Sequence, residues 1–182
     1  MTTHLQSGPI RNESLLPDDL SYCIGKKTLV KFILEAIEDL DASRPGRETV
    51  EPAAPDFEPA MMVTLLTYCY ATGVFGALDI ELSTRHDRMI HYLCARAYPD
   101  CYVIRSFRRY HRDMIAQCLT AVLRRVWELR FRGEDAEPMQ GVCSLGRSLG
   151  QWADLKSTPN FKSDAERRIA RAVRADSMAM DV

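Results

Sequence analysis

The sequence predicts an all-α fold, and three observations carry the prediction. From Ile104 to Leu129, the residues Ile104, Phe107, His111, Ile115, Cys118, Val122, Val126 and Leu129 recur at steps of three or four. That is the period of one helix face. Nowhere does a run alternate apolar and polar residues with period two. No Asn-Gly or Asp-Gly pair marks a hairpin, and no segment repeats. The expected architecture is a compact multi-helix bundle with one long helix in its C-terminal half.

Taken in order, residues 1–16 are polar, carry Gly8 and Pro9, and read as a mobile lead. Pro17, Asp18 and Asp19 open a first helix, because proline fits the first turn and acids suit the positive dipole end. Gly25 breaks it. Thr28 caps a second helix, with Leu29, Phe32, Ile33, Ala36, Ile37 and Leu40 facing the core. Residues 41–58 hold Pro45, Gly46, Pro52 and Pro55 without an apolar period and form a loop. Pro59 begins a helix over 60–72 that is apolar nearly all round, which places it at the centre.

Gly73 and Gly76 bracket a turn, after which helices span 77–85 and 87–95. Tyr98-Pro99-Asp100 turns into the long helix, which Asp100 caps and Gly133 ends. Residues 134–144 are acidic and loop-like, and Leu145, Leu149 and Trp152 suggest a short helix. After Pro159, Ser163 or Asp164 caps a last helix with a thin apolar line, Ala165, Ile169 and Val173. Arg167, Arg171 and Arg174 share another of its faces, with Arg168 beside them. Two readings stand there: a second phosphate-contacting or partner-docking helix, or the favoured one, a marginal surface helix fraying by Met178. The chain thus divides into a lead over 1–16, a helical domain over 17–133, and a loop-plus-short-helix tail over 134–182, read as mobile.

At 182 residues, 46% apolar and 27% charged, the chain fits one globular domain with a small appendage. No apolar run reaches the ~18 residues that span a bilayer, and the N-terminus lacks the regions of a signal peptide. A cytoplasmic protein is expected, with no membrane partner. The six cysteines never form a Cys-x-x-Cys pair and mostly sit in apolar helical patterns, as small hydrophobes do. Net charge is −1, yet residues 85–132 hold 11 Arg against 4 acids while residues 1–58 hold 6 Lys/Arg against 11 acids. Positive charge confined to one block marks a candidate anion-binding face.

That block centres on Arg105, Arg108, Arg109 and Arg112, at i, i+3, i+4 and i+7 on the long helix. At roughly 100° per residue, this basic face lies about a third of a turn from the apolar seam. One face can then be buried while the other meets a polyanion. The bland alternative is a solvated helix surface, which charge alone favours. A short helix over 87–95, a tight turn and a helix with a basic first half also match the layout of a helix-turn-helix unit. Residues 87–95 would support and residues 100–112 would read. Arg85 and Arg88 flank the supporting helix, where backbone contact and plain solvation are equally good readings.

Three segments carry a resemblance. Leu16-Pro17-Asp18-Asp19-Leu20, followed by Phe32 to Asp41, is the first. Phe57-Glu58-Pro59, Met61 to Leu66, Tyr70 and Thr72-Gly73-Val74-Phe75 form the second. Pro99, Asp100, Ile104, Phe107, Arg108, Arg109 and His111 form the third. In order and spacing, over roughly residues 14–125, they resemble the N-terminal domain of bacterial insertion-sequence transposases of the DDE class. The departures are local. Gly76-Ala77-Leu78-Asp79 stands where the family has a polar-basic stretch expected to meet phosphate. Cys101-Tyr102-Val103 replaces a His-x-Thr, and residues 21–27 are shifted.

The resemblance implies an all-helical DNA-binding module acting in transposition and DNA recombination. It also implies that catalysis belongs to a separate ribonuclease-H-like domain with three metal-binding carboxylates. Asp79, Glu81, Asp113 and Glu128 lie on helices at spacings that do not converge, so a non-enzyme is expected. The expected partner is duplex DNA, gripped by Arg105, Arg108, Arg109 and Arg112, with Arg85 and Arg88 beside them. Arginine suits that role because its planar fork takes two phosphate oxygens or guanine O6 and N7 together. The rival is a protein-interaction module docking an acidic partner, a catalytic transposase chain or a second copy of itself. No cofactor, metal or small-molecule substrate is expected. His111 on the seam reads as a packing residue, and His91, Cys94 and Cys101 fit no structural zinc spacing.

Overall fold

In the computed structural model, the described residues are 16–42, 57–131 and 159–180. They form eight helices and no strand. The helices are α1 (Ser21–Ile24), α2 (Lys26–Ala42), α3 (Pro59–Ala71), α4 (Ala77–His86), α5 (Arg88–Leu93), α6 (Cys101–Tyr110), α7 (Arg112–Phe131) and α8 (Phe161–Met180). The expected lead through residue 15, most of the proline loop, Gly133 and the short helix around Leu149 lie outside the described residues. Leu16, by contrast, is buried in the core.

α3 sits at the centre, as its all-round apolar composition requires, and every residue from Met62 to Ala71 is buried. Around it pack α2, α5, α7 and α8. Its C-terminus shows how the surrounding segments are fixed. The last four carbonyls of a helix have no partner within it, and here each is met from a different place. Thr72 N–H bonds Tyr68 O at 3.0 Å, and Val74 N–H reaches back to Cys69 O at 2.8 Å. The second bond is the long one of a Schellman cap, which needs a left-handed residue just past the helix, and Gly73 supplies it at φ 83°. Leu20 N–H takes Ala71 O at 2.8 Å, and the Arg168 guanidinium takes Tyr70 O at 2.8 Å. A buried helix end is thereby stitched to both the N-terminal segment and α8.

Several starts differ from expectation. α2 begins at Lys26 rather than being capped at Thr28, because Gly25, at φ 80°, turns the chain straight from α1 into it. α1 starts at Ser21, whose N–H is taken by the Asp19 carboxylate at 2.8 Å. Asp87 caps α5 by accepting from Met89 and Ile90, and Asp100 caps α6 by accepting from Val103 N–H at 2.8 Å.

The expected single long helix is two. The apolar seam runs on, with Ile104, Phe107, Ile115 and Cys118 all buried, but the backbone bends at His111. Its ring stacks on Phe107, centroids 4.2 Å apart. Arg108 and Arg112, on either side of the bend, bond Asp176 and Glu166 of α8. Those anchors stand ten residues apart, about 15 Å along α8, whereas four residues of straight helix span only about 6 Å.

α8 itself overturns the reading of residues 163–180 as a marginal surface helix and places them outside any tail. Phe161, Ala165, Ile169 and Ala172 are buried, and α8 packs along α7 and against α3 and α4. Asn160, not Ser163 or Asp164, caps it, its side-chain oxygen accepting from Ser163 N–H at 3.0 Å. The thin line of Ala165, Ile169 and Val173 understated the buried face because small Ala172 and the long stem of Arg168 complete it.

Candidate nucleic-acid interface

α6 is held at its start by two side-chain bonds that leave its outer side free. Beyond the Asp100 cap, the Glu81 carboxylate of α4 accepts from Cys101 N–H at 2.9 Å. Ile104 and Phe107 then seat the helix on the core. Measured around the axis from Ile104 at about 100° per residue, Arg108 lies about 40° away, Arg105 about 100° and Arg109 about 140°, while Arg112 opens α7 beyond the bend. Their exposure follows that order at its two ends. Arg108 is 6% exposed, while Arg109 is exposed with no bonded partner among the described residues.

Arg108 is therefore a core residue and not part of an open face. Its guanidinium donates to Tyr70 Oη at 3.1 Å and to the Asp176 carboxylate. Burial alone would disfavour its charge, but Tyr70 and Asp176 outweigh that and hold its pKa above the ordinary arginine value. The same burial pushes Tyr70 up to about 12, against the pull of Arg108. Asp176 also accepts from Ala77 N–H, at the first turn of α4, at 2.7 Å. Arg105 Nε stands 3.6 Å from it. So one carboxylate of α8 serves two arginines and a helix N-terminus. In this turn the sequence departs from the polar-basic stretch of the family it resembles, and a carboxylate of the chain itself meets the backbone there.

Arg112 pairs with Glu166 at 2.5 Å while keeping 45% of its side chain exposed. Arg85 and Arg88 are exposed at the corner between α4 and α5. The arginines of α8 are mostly committed internally. Arg168, 4% exposed, donates to the carbonyls of Pro17, Asp18 and Tyr70 at 2.6–2.8 Å, and burial lowers its pKa. Arg171 pairs with Asp18 at 2.7 Å and lies 4.4 Å from the centre of the Phe75 ring. Arg167 bonds Asp164, and Arg174 is exposed. On the far side of the bundle, Arg125 bonds Glu35 and Asp39 of α2, which ties part of the basic block to the acidic N-terminal third.

His91, Cys94 and Cys101 do not assemble. His91 stacks near Tyr98, with Nδ1 3.4 Å from the Tyr98 hydroxyl, and Cys94 is buried with its thiol pushed up to about 11 by burial. Among the described residues, no group of three His, Cys, Asp or Glu side chains could hold a metal ion, and no helix is long and apolar enough to cross a membrane.

Sequence reasoning missed two features. Asp176 looked like one more acid near a fraying end, and only its three partners reveal its role. The second is a set of solvent-facing tyrosines: Tyr92, Tyr102 and Tyr110 are 73%, 75% and 70% exposed, and Tyr98 is 44% exposed. A signal was present, since Tyr102, Ser106 and Arg109 recur on the side of α6 opposite the seam, with Tyr110 on its flank. Compared with known proteins, the chain matches no family model, no curated protein and no solved structure.

Proposed function

We propose that this chain is a non-catalytic DNA-binding module, similar in role to the N-terminal domain of DDE-class transposases. In this reading, α5 supports and α6 reads, as in a helix-turn-helix unit. The observation that carries it is the division of labour along α6. Arg108 anchors the helix to Tyr70 and Asp176, which leaves Arg109 exposed outward, with Arg105 and Arg112 only partly covered. A reading helix needs both parts, a rigid seat and cations that remain available. Arg85 and Arg88, exposed at the α4–α5 corner, add backbone contacts.

Salt-dependent binding to a mixed-sequence duplex tests this. Arg109→Ala is expected to leave helicity and melting unchanged and to weaken binding. It flattens the plot of log K against log salt by about 0.9, the slope that one neutralised phosphate supplies. Duplex binding that ignores both salt and the Arg109 change would defeat the proposal.

One observation favours the rival, a protein-docking face. Glu166 and Asp176 already show how helix-borne carboxylates fit Arg112, Arg108 and Arg105. An acidic helix of a catalytic chain, or a second copy, would bind in the same manner. Concentration-dependent self-association with no DNA binding would select it.

A further inference from the structure

We infer that the outer side of α6 takes single-stranded DNA, with bases stacked on Tyr102 and Tyr110 and phosphates held by Arg105 and Arg109. The inference rests on the DNA-binding reading and specifies the form of DNA. Two large rings on one short helix are left about three-quarters in water, although tyrosine is a residue that folding ordinarily covers at least in part. Both sit on the solvent side of α6 with Arg109, and the Arg105 guanidinium lies 6.0 Å from the centre of the Tyr102 ring. Alternating rings and guanidinium groups are what an unpaired strand needs. Every base offers a flat face for stacking, and every phosphate offers an anion for a nearby cation.

A duplex cannot use the rings in this way, because its base faces are already stacked on each other. Between the tyrosines on this side stand Ser106 and Arg109. Eight residues of helix set Tyr102 and Tyr110 about 12 Å apart along the axis and about 80° apart around it. Asp100 and Asp113, both exposed, bound the stretch and confine it to about 20 Å of helix. A second pair of the same kind stands on α5, where Arg88 and Tyr92, one turn apart, line a shallow groove of about 350 Å³ with Lys27, Val30 and Met89. Tyr98, against His91, joins the intervening linker to α5.

The test uses the full chain and fluorescence anisotropy with a labelled oligothymidylate of roughly 20 nucleotides, longer than most known single-strand sites. A mixed-sequence strand and its duplex are run at the same salt. The strands are expected to bind more tightly than the duplex. Tyr102→Ala and Tyr110→Ala each weaken strand binding about tenfold and leave duplex binding unchanged, whereas Tyr102→Phe, which keeps the ring, binds as the parent does. Since both rings are exposed, circular dichroism and melting should not move. A duplex bound as tightly as the strand, or alanine variants that bind the strand normally, would overturn the inference and leave the DNA-binding proposal standing. Absence of binding to either form would overturn both. Loss of self-association in the tyrosine variants, without strand binding, would assign the rings to a protein contact instead.

Discussion

Replacing Asp176 by Asn tests whether the basic helix is anchored as described. Asp176 and Arg108 are each 6% exposed, so neither charge can turn to water when its partner is neutralised. The asparagine can still accept from Ala77 N–H, so the first turn of α4 keeps its bond. What disappears is the anion facing Arg108, which would retain only the Tyr70 hydroxyl, and the longer attraction to Arg105. Breaking a buried pair by neutralising one member costs about 3–5 kcal/mol, because the other charge stays buried and uncompensated. For a chain of this size each kcal/mol moves the melting temperature by about 2–4 °C, so a drop of about 6–20 °C is expected. Glu166→Gln is the internal control. It also removes a carboxylate from an arginine, Arg112, but between side chains 45% and 36% exposed, and should cost at most about 1 kcal/mol. Urea and thermal melts by circular dichroism measure both. Asp176→Asn within about 1 kcal/mol of the parent, or a Glu166→Gln effect of similar size, would refute the anchor. Combining Arg108→Met with Asp176→Asn should recover much of the stability, since it removes the stranded buried charge and keeps the acceptor for Ala77 N–H.

Other outcomes follow from the same packing. Arg168→Lys should destabilise by about 2–4 kcal/mol in urea titration, because an ammonium cannot reach three carbonyls that the planar fork takes together. At Asp87, burial raises the pKa, but the N–H groups of Ile90 and Met89 and the Lys26 ammonium more than offset it and lower the net value below 3.8. The ionised form thus belongs to the folded state, and its stabilisation is present above the ordinary carboxylate pKa and lost as pH falls through the lowered one. Asp87→Asn should flatten the acid limb of the stability profile below pH 3.8 without steepening the alkaline limb. Finally, no disulfide joins the described cysteines; burial holds the Cys69 thiol well above its usual range and pushes Cys94 and Cys118 up to about 11. Burial and the Glu81 carboxylate raise the Cys101 thiol as well, so exposure decides: iodoacetamide at mildly alkaline pH should modify half-buried Cys101 before these three, as peptide mass mapping would read.

Much of the fold was legible because its signals are periodic or local. The run from Met61 to Ala71, apolar but for Thr64 and Thr67, could only be a central helix, and Asp87, Asp100 and Gly73 act through neighbours one to five residues away. What was illegible depends on partners far along the chain. The bend at His111 leaves the seam's period intact and contains neither proline nor glycine, so spacing could not reveal it. α8 looked marginal because a line of alanines carries little apolar weight in a sequence, though small side chains let a helix approach its neighbours closely. Asp176 acts across 68 residues to Arg108 and 99 to Ala77, and no local pattern announces either. The exposed tyrosines were visible as letters but hidden by habit, since an aromatic in a helical pattern is usually assigned to the core.

The four arginines differ although they share a residue type and a flank. The angle from the apolar seam sorts them. At about 40° from Ile104 a long side chain still falls inside the packed boundary, and at about 140° it cannot. Arg105, between these limits, and Arg112, past the bend, are held by carboxylates that phosphate would have to displace. With Arg85 and Arg88 changed to Ala, that ordering bounds the electrostatics of a duplex complex. Arg109 alone grips one phosphate, and Arg105 and Arg112 raise the number to three only by exchanging Asp176 and Glu166 for the ligand. From about 50 to 200 mM salt, neutralising one to three duplex phosphates lowers affinity by about 3- to 40-fold, against about 150-fold for four open arginines. A decrease near the upper figure would mean that Arg108 leaves its seat on binding. Because that seat also holds the first turn of α4 through Asp176, such binding would have to loosen the core that positions α6.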